Sequence, residues 1–84
     1  MVKLENINGR LCVDGQPVLK GWESFNGWYW FATELNADGP RIHFGLVQGF
    51  EDELGYFSED ELKESSRTVW RIKVRDLPYA GRQS

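Results

Sequence analysis

The segment WYWFATE, Trp28 to Glu34, most constrains the fold because it is apolar on both of its faces. Its aromatic and β-branched residues favour a strand, in which successive side chains point to opposite sides. The two faces carry Trp28, Trp30 and Ala32 on one side, and Tyr29, Phe31 and Thr33 on the other. Because rings stand on both faces, we expect this strand to be central in its sheet and covered on both sides.

The remaining strand signals predict an antiparallel arrangement. Asn8-Gly9 and Asp14-Gly15 separate short extended segments within the first twenty residues, and both dipeptides favour two-residue hairpin turns. RIHFGLVQG, residues 41–49, is the predicted return strand after the turn LNADGP. RTVWRIKVRD, residues 67–76, has the two-residue alternation of a half-buried strand. In that strand we expect Trp70, Ile72 and Val74 to face inward, and Arg71, Lys73 and Arg75 to face outward.

An acidic stretch follows the return strand and contains the helix signal. EDELG, residues 51–55, resembles a turn that ends at Gly55. Ser58 then stands three residues before Glu61, which is the spacing of a capping box, and Phe57 and Leu62 are placed as a hydrophobic staple. Acidic residues in the first turn of a helix are stabilised by the helix dipole. We therefore predict one short helix over about residues 59–66 and a solvated acidic surface.

A helix of this length cannot cover both faces of the aromatic sheet, because it is only about 12 Å long. Two arrangements resolve the mismatch: the N-terminal hairpins fold over the second face, or that face is partly open for binding or self-association. We expect partial closure with a residual aromatic surface. The predicted fold is α+β: a small, mostly antiparallel sheet of four to six strands, partly curled, with one short helix. The prediction is a single domain over residues 1–84, with a hairpin-rich part at 1–20 and a mobile tail at 80–84.

Composition and charge narrow the classes of function. The chain has 84 residues, of which 40% are hydrophobic and 14% aromatic, as expected of a folded protein. Its net charge of −3 argues against a dedicated nucleic-acid binder, which usually has a basic excess. A single cysteine, Cys12, predicts a buried thiol and a cytoplasmic location. The sequence shows neither a signal peptide nor an apolar run of membrane-spanning length, so no membrane association is expected.

The sequence offers little for catalysis, and the prediction is a protein that is not an enzyme and has no cofactor. A Cys–His nucleophile would require contact between Cys12 and His43, which lie in separate predicted strands. Structural zinc requires four Cys or His ligands, and the chain has two such residues. Calcium binding at the acidic turn stays an alternative because hard cations take carboxylate oxygens, although the spacing is not that of an EF-hand loop.

The central residues resemble a known family. Ala32-Thr33-Glu34, Phe44 to Val47, Gly49-Phe50-Glu51, Glu53 to Ser58 and Glu61-Leu62 are similar to the motifs of the domain of unknown function 2958 family. The resemblance spans roughly residues 28–79. It implies a compact α+β domain, no assigned activity, and an association with plasmids or phages.

Two surfaces are candidates for binding. The favoured one is a protein-binding or self-association surface, which would serve an accessory factor of a mobile element; its predicted residues are Trp22, Phe25, Tyr29, Glu51, Asp52 and Glu53. The alternative is a single-stranded nucleic-acid surface, on which bases stack on rings while phosphates meet cations. Its predicted residues are Tyr29, Phe31, Arg71, Lys73 and Arg75.

Overall fold

The computed structural model describes residues 2–64 and 68–73, which form eight strands and one helix. In chain order the elements are β1 (Leu4–Ile7), β2 (Arg10–Val13), β3 (Gln16–Pro17), β4 (Lys20–Ser24), β5 (Tyr29–Glu34), β6 (Ile42–Gln48), β7 (Asp52–Ser58), α1 (Glu59–Glu64) and β8 (Val69–Ile72). The prediction of a mostly antiparallel α+β fold with one short helix is confirmed. The number of strands differs from the predicted single sheet of four to six strands. Eight strands form two sheets, of five and three strands, and neither sheet is closed.

The larger sheet has the order β7-β6-β5-β4-β8, and every neighbouring pair is antiparallel. WYWFATE supplies the central strand β5, as its two apolar faces predict. The register places Trp30 between Trp22 of β4 and Val47 of β6, and Phe31 beside Leu46 of β6. We call the face that carries Trp22 and Trp30 the helix face, and the face that carries Phe31 and Leu46 the hairpin face.

The N-terminal hairpins cover the hairpin face as a separate three-stranded sheet, in the order β1-β2-β3. Both predicted turns form, since Asn8, Gly9, Asp14 and Gly15 all have positive φ values. The core between the sheets consists of Leu11, Val13, Val18, Phe31 and Leu46. The expected covering of the second face is therefore present, and it is made by packing one sheet on another rather than by curling a single sheet.

Helix α1 packs on the helix face over a second apolar cluster. Trp22, Ala32, Leu62 and Val69 are its buried members, and Phe57 packs against them. The predicted cap is present, because Ser58 Oγ accepts a hydrogen bond of 3.3 Å from the backbone N–H of Glu61. The helix ends at Glu64 in the described residues; residues 65 and 66 of the predicted helix lie outside them.

The predicted turn EDELG is wrong. Asp52–Ser58 forms strand β7, which pairs along its whole length with β6, so the chain reverses within residues 49–51. The sequence alternates as a strand does, because Leu54 and Tyr56 share one face of β7 while Gly55 and Phe57 share the other. The acidic residues at its start suggested a turn, but an edge strand that is exposed on one face tolerates acids there.

The predicted inward row of β8 is only partly observed. Ile72 packs against the core on the hairpin face, whereas Trp70 on the same face is 44% exposed. Arg71 and Lys73 are exposed, as expected. Val74 and Arg75 lie outside the described residues.

Candidate functional site

The end of the larger sheet that holds the β4–β5 and β6–β7 connections carries a groove of about 240 Å³. We call it the sheet-end groove; its lining residues are Trp28, Val47, Gly49, Phe50, Glu51 and Glu53. It is smaller than the usual 300–1,000 Å³ of small-molecule sites. A space of this size suits one side chain of a partner.

Local sequence fixes the indole that forms one side of this groove. The backbone N–H of Trp28 donates to Ser24 Oγ at 3.0 Å, and the N–H of Ser24 donates to the carbonyl of Trp28 at 2.9 Å. A Cβ atom at Gly49 would lie 2.5 Å from the Trp28 ring, so only glycine leaves room for the indole there. The two bonds fix the backbone at Trp28, and the absent side chain at Gly49 leaves space for the indole against the end of β6.

Phe50 forms the opposite side of the groove and is almost fully solvated. Its side chain is 94% exposed, yet its ring meets the Trp28 ring edge-on at a centroid distance of 5.3 Å. Trp30 extends the aromatic surface, with its ring 6.1 Å from that of Trp28. A phenylalanine so exposed contributes little hydrophobic free energy to folding, and its burial by another molecule would be favourable.

The groove combines these rings with two carboxylates, Glu51 and Glu53, both of which are exposed. Aromatic faces attract cations through their quadrupole, and the attraction grows when an acid shares the site. The lining described here contains no basic side chain. The arrangement therefore fits a group that carries a positive charge on an apolar stem, which is the chemistry of lysine and arginine side chains.

The predicted aromatic surface of Trp22, Phe25 and Tyr29 is not assembled. Trp22 is 4% exposed and lies on the helix face, stacked on His43, whereas Tyr29 lies on the hairpin face, stacked on Phe31. Phe25 alone of the three is strongly exposed, at 72%. It lies in the β4–β5 connection, at the same end of the sheet as the groove.

The predicted acidic residues lie beside this groove, although they do not form one cluster. Glu51 belongs to the tight turn, and Asp52 and Glu53 begin β7 with their side chains on opposite faces. Asp52 Oδ2 accepts a hydrogen bond of 3.4 Å from Gln48. Within the described residues no three His, Cys, Asp or Glu side chains converge on a position that could hold a metal ion.

The residues of the nucleic-acid alternative are also separated. Phe31 is fully buried and Tyr29 is partly buried, with its hydroxyl donating to Glu23 at 2.7 Å, so Phe31 is not available for stacking with a base. Arg71 lies on the helix face, with its guanidinium 5.8 Å from the Trp22 ring. Lys73 is exposed. Arg75 lies outside the described residues.

A buried polar network occupies the helix face, and it was not foreseen from the sequence. Glu59 Oε1 accepts from His43 Nε2 at 2.8 Å and from Lys20 Nζ at 3.3 Å. His43 Nδ1 accepts from the backbone N–H of Asn36 at 3.1 Å, so the imidazole proton resides on Nε2. The hydrogen bond from His43, followed by that from Lys20, holds the pKa of Glu59 below its usual value of 4.5, against the effect of burial.

This network connects distant segments of the chain through buried hydrogen bonds. His43 is 1% exposed and both of its ring nitrogens are engaged. Cys12 lies in the three-stranded sheet, on the other side of the larger sheet from His43, so the two residues do not pair. The network joins β4, β6 and α1, and both His43 and Glu59 are buried within it.

A second groove, of about 400 Å³, lies between α1 and β8. Its lining residues are Trp22, Glu59, Leu62, Lys63, Val69, Trp70 and Arg71. Charges of both signs line it, and Glu59 is already paired with Lys20. This groove therefore favours no single class of ligand by charge.

Neither Trp28 nor Phe50 was among the binding residues predicted from the sequence. The available signal was Gly49-Phe50-Glu51, which sets a large ring between a glycine and an acid in a turn. Phe50 would have been recognised as exposed only if the turn had been placed at residues 49–51.

Comparisons of the chain with protein-family models, with curated proteins and with solved structures find no match. In the described residues the single helix, with six residues, is far too short to cross a bilayer.

Proposed function

We propose that the protein is a non-enzymatic interaction module that binds a basic segment of a partner protein at the sheet-end groove. A lysine or arginine side chain of the partner would lie against the rings of Trp28 and Phe50. Its charged head would then lie near Glu51 and Glu53. We also propose that the protein is cytoplasmic, as its single cysteine predicts, and that it is an accessory factor of a mobile element, which fits the plasmid or phage association implied by the family resemblance.

The observation that carries the proposal is the exposure of Phe50 in contact with Trp28. Aromatic residues are the usual energetic anchors of protein interfaces, and a solvated phenylalanine in a fixed turn has no role in the core. The neighbouring acids then select the sign of the occupant's charge. A cation–π contact contributes about 0.5–2 kcal/mol, so one groove of this kind supports a weak interaction that a longer partner segment would strengthen.

The test is an NMR titration of the ¹⁵N-labelled protein with a short peptide that alternates lysine and alanine. We expect the Trp28 indole N–H and the backbone amides of residues 47–53 to shift together. A second peptide, with norleucine in place of lysine, keeps the apolar stem and removes the charge. It should bind at least about fivefold more weakly, which corresponds to about 1 kcal/mol.

Matched variants separate the rings from the charges. Phe50→Ala should weaken binding of the lysine peptide by about tenfold, as expected for a central anchor. The double variant Glu51→Gln with Glu53→Gln should weaken binding and reduce its dependence on salt. Glu34→Gln is the control, because Glu34 is exposed at the other end of β5, and it should leave the affinity unchanged.

The same titration distinguishes the nucleic-acid alternative. A single-stranded oligonucleotide at low salt that shifts the amides of Arg71 and Lys73, with micromolar affinity, would favour the basic strand over the groove. The proposal is wrong if the norleucine peptide binds as tightly as the lysine peptide, or if neither shifts the groove signals at millimolar concentration.

A further inference from the structure

We propose that strand β7 is a self-association edge, which pairs antiparallel with β7 of a second copy of this chain around a two-fold axis at Gly55. The middle of this edge lies outside the lining of the sheet-end groove, and the two surfaces share only Glu53 near the start of β7. Its central residues are Leu54, Gly55 and Tyr56.

Strand β7 is the outermost strand of the larger sheet. It has seven residues and pairs with β6 on one side, and among residues 2–64 and 68–73 no strand lies along its other side. Exposed edges of this length offer a row of backbone donors and acceptors to another chain. Within the described part of the chain, the outer edge of the β7 backbone is therefore available for pairing.

The side chains at the middle of this edge are apolar and solvated. Leu54 is 45% exposed and Tyr56 is 61% exposed, and both lie on the hairpin face beyond the cover of the three-stranded sheet. The Phe44 ring meets the Tyr56 ring at 5.2 Å and fixes its position. Because they are two residues apart, Leu54 and Tyr56 lie on the same face of β7 and together form one apolar contact surface.

Gly55 lies between them, and nothing in the described part of the chain requires a glycine there. A Cβ atom built on Gly55 would meet no atom of residues 2–64 or 68–73 within 4 Å, and its φ is not positive. This contrasts with its cross-strand partner Gly45, where a Cβ atom would clash with the carbonyl of Phe31. Glycine weakens the interior of a strand, and one reason for its presence is the close approach of another backbone.

The occupant is a second copy because β7 complements itself. Antiparallel pairing centred on Gly55 sets Leu54 of each copy opposite Tyr56 of the other, on the same face, as cross-strand apolar pairs require. Asp52 then stands opposite Ser58, and Glu53 opposite Phe57. No two acids face each other directly, so the register avoids like-charge repulsion.

The opposite edge of the sheet lacks these features. Strand β8 is four residues long, and exposed cationic residues, Arg71 and Lys73, lie along it and just beyond its end. Charged side chains on an edge oppose pairing with another chain. Strand β7 also carries charges, Asp52 and Glu53, but they occupy its first two positions and leave its next five residues uncharged. The asymmetry between the two edges directs association to β7.

The first test is the molar mass of the purified protein, measured by light scattering and sedimentation equilibrium from about 10 µM to 1 mM, the range of weak dimers. We expect the mass to rise with concentration from 9.8 kDa towards twice that value. Leu54→Lys should weaken the dimer at least tenfold. Leu19→Lys is the matched control, because Leu19 is similarly exposed, at 39%, and lies outside the larger sheet; it should leave the dimer unchanged.

A cross-linking experiment tests the register. Gly55→Cys places the two thiols opposite each other, with Cβ atoms about 4.5–5.5 Å apart, and a mild oxidant or a short thiol cross-linker should join the copies. Leu54→Cys should not cross-link to itself, but it should join to Tyr56→Cys when the two variants are mixed. The unchanged chain, whose Cys12 is buried, is the control for adventitious coupling.

A constant monomer mass up to 1 mM overturns the inference, and so does a dimer that Leu54→Lys leaves intact. A monomer that adds an unrelated extended peptide to β7 also overturns it, because the edge would then serve a different partner. Leu54→Lys should retain the binding of the lysine peptide at the groove, so failure here and failure of the proposed function are separately visible.

Discussion

At the scale of single residues, Glu59 has the surroundings least expected from its sequence context. It stands among three consecutive acids at the start of a helix, where each carboxylate has a favourable interaction with the helix dipole. The exposed neighbours Asp60 and Glu61 fit that description, and Asp60 binds Arg41 Nε at 2.8 Å. Glu59 instead points into the helix face, towards His43 and Lys20. Glu59 differs from Asp60 and Glu61 in its burial because its partners lie 16 and 39 residues away in the chain.

Glu59→Gln should lower the free energy of unfolding by about 1–3 kcal/mol at neutral pH, because it removes a charge from a buried hydrogen-bonded pair. The folded-state pKa of Glu59 is depressed, so its contribution is present above the unfolded value of 4.5 and is lost as pH falls through the lower folded pKa. The difference between Glu59→Gln and the unchanged protein should therefore be largest at pH 7 and shrink below pH 4.5.

Urea unfolding at pH 7, 5.5 and 3.5 measures this difference. Glu61→Gln is the control for the general effect of charge on the first helical turn, since Glu61 is exposed. An equal loss of stability for both variants, or a loss that does not depend on pH, would count against the network as the cause.

At the scale of elements, helix α1 is too short to be stable alone, because isolated helices below about 12 residues are marginal in water. Its position depends on its ends and on its packing. The N–H of Glu59 donates to the carbonyl of Arg41 at 2.8 Å, which ties the helix start to the end of the β5–β6 connection. Leu62 then packs among Trp22, Ala32 and Val69. The sequence predicted the cap and the apolar contact, since both are local patterns.

Ser58→Ala should lower the free energy of unfolding by about 1 kcal/mol, because it removes the side-chain oxygen that accepts from the N–H of Glu61. Ser58→Thr keeps that oxygen and is the matched control. The two midpoints of urea unfolding, compared at pH 7, provide the measurement. Equal midpoints would show that the cap contributes nothing to the anchoring of α1.

At the scale of the whole molecule, coverage of both faces of β5 decides the architecture. The three-stranded sheet covers one face and α1 covers part of the other, so the stretch of the helix face at Trp28 and Trp30 is left half-exposed. The sheet-end groove forms at that uncovered position. The proposed binding surface is thus the part of the aromatic strand that the described residues leave partly uncovered.

A pair of neighbouring residues tests whether the two sheets form one cooperative unit, as the single-domain prediction requires. Val18 is fully buried between the sheets, whereas Leu19 is partly solvated. Val18→Ala should lower the free energy of unfolding by about 2 kcal/mol, from two lost methyl groups and a small cavity. Leu19→Ala should cost less than about half as much.

Amide hydrogen exchange measures the effect of Val18→Ala on the stability of each sheet separately. If the molecule unfolds as one unit, Val18→Ala accelerates exchange of the slowest amides equally in β2 and in β5. Acceleration confined to the three-stranded sheet would contradict the prediction of a single cooperative domain.

The local patterns determined by themselves most of the strands, although not β7, as well as the hairpin turns at Asn8-Gly9 and Asp14-Gly15 and the helix cap at Ser58. These depend on backbone preferences and on contacts a few residues apart, which a sequence displays directly. The two apolar faces of β5 also required a cover for each face. The position of the 49–51 turn, the burial of Glu59 and the exposure of Phe50 were decided only by the tertiary structure. All three features depend on which distant segments of the chain lie next to these residues. That placement results from the packing of both sheets together.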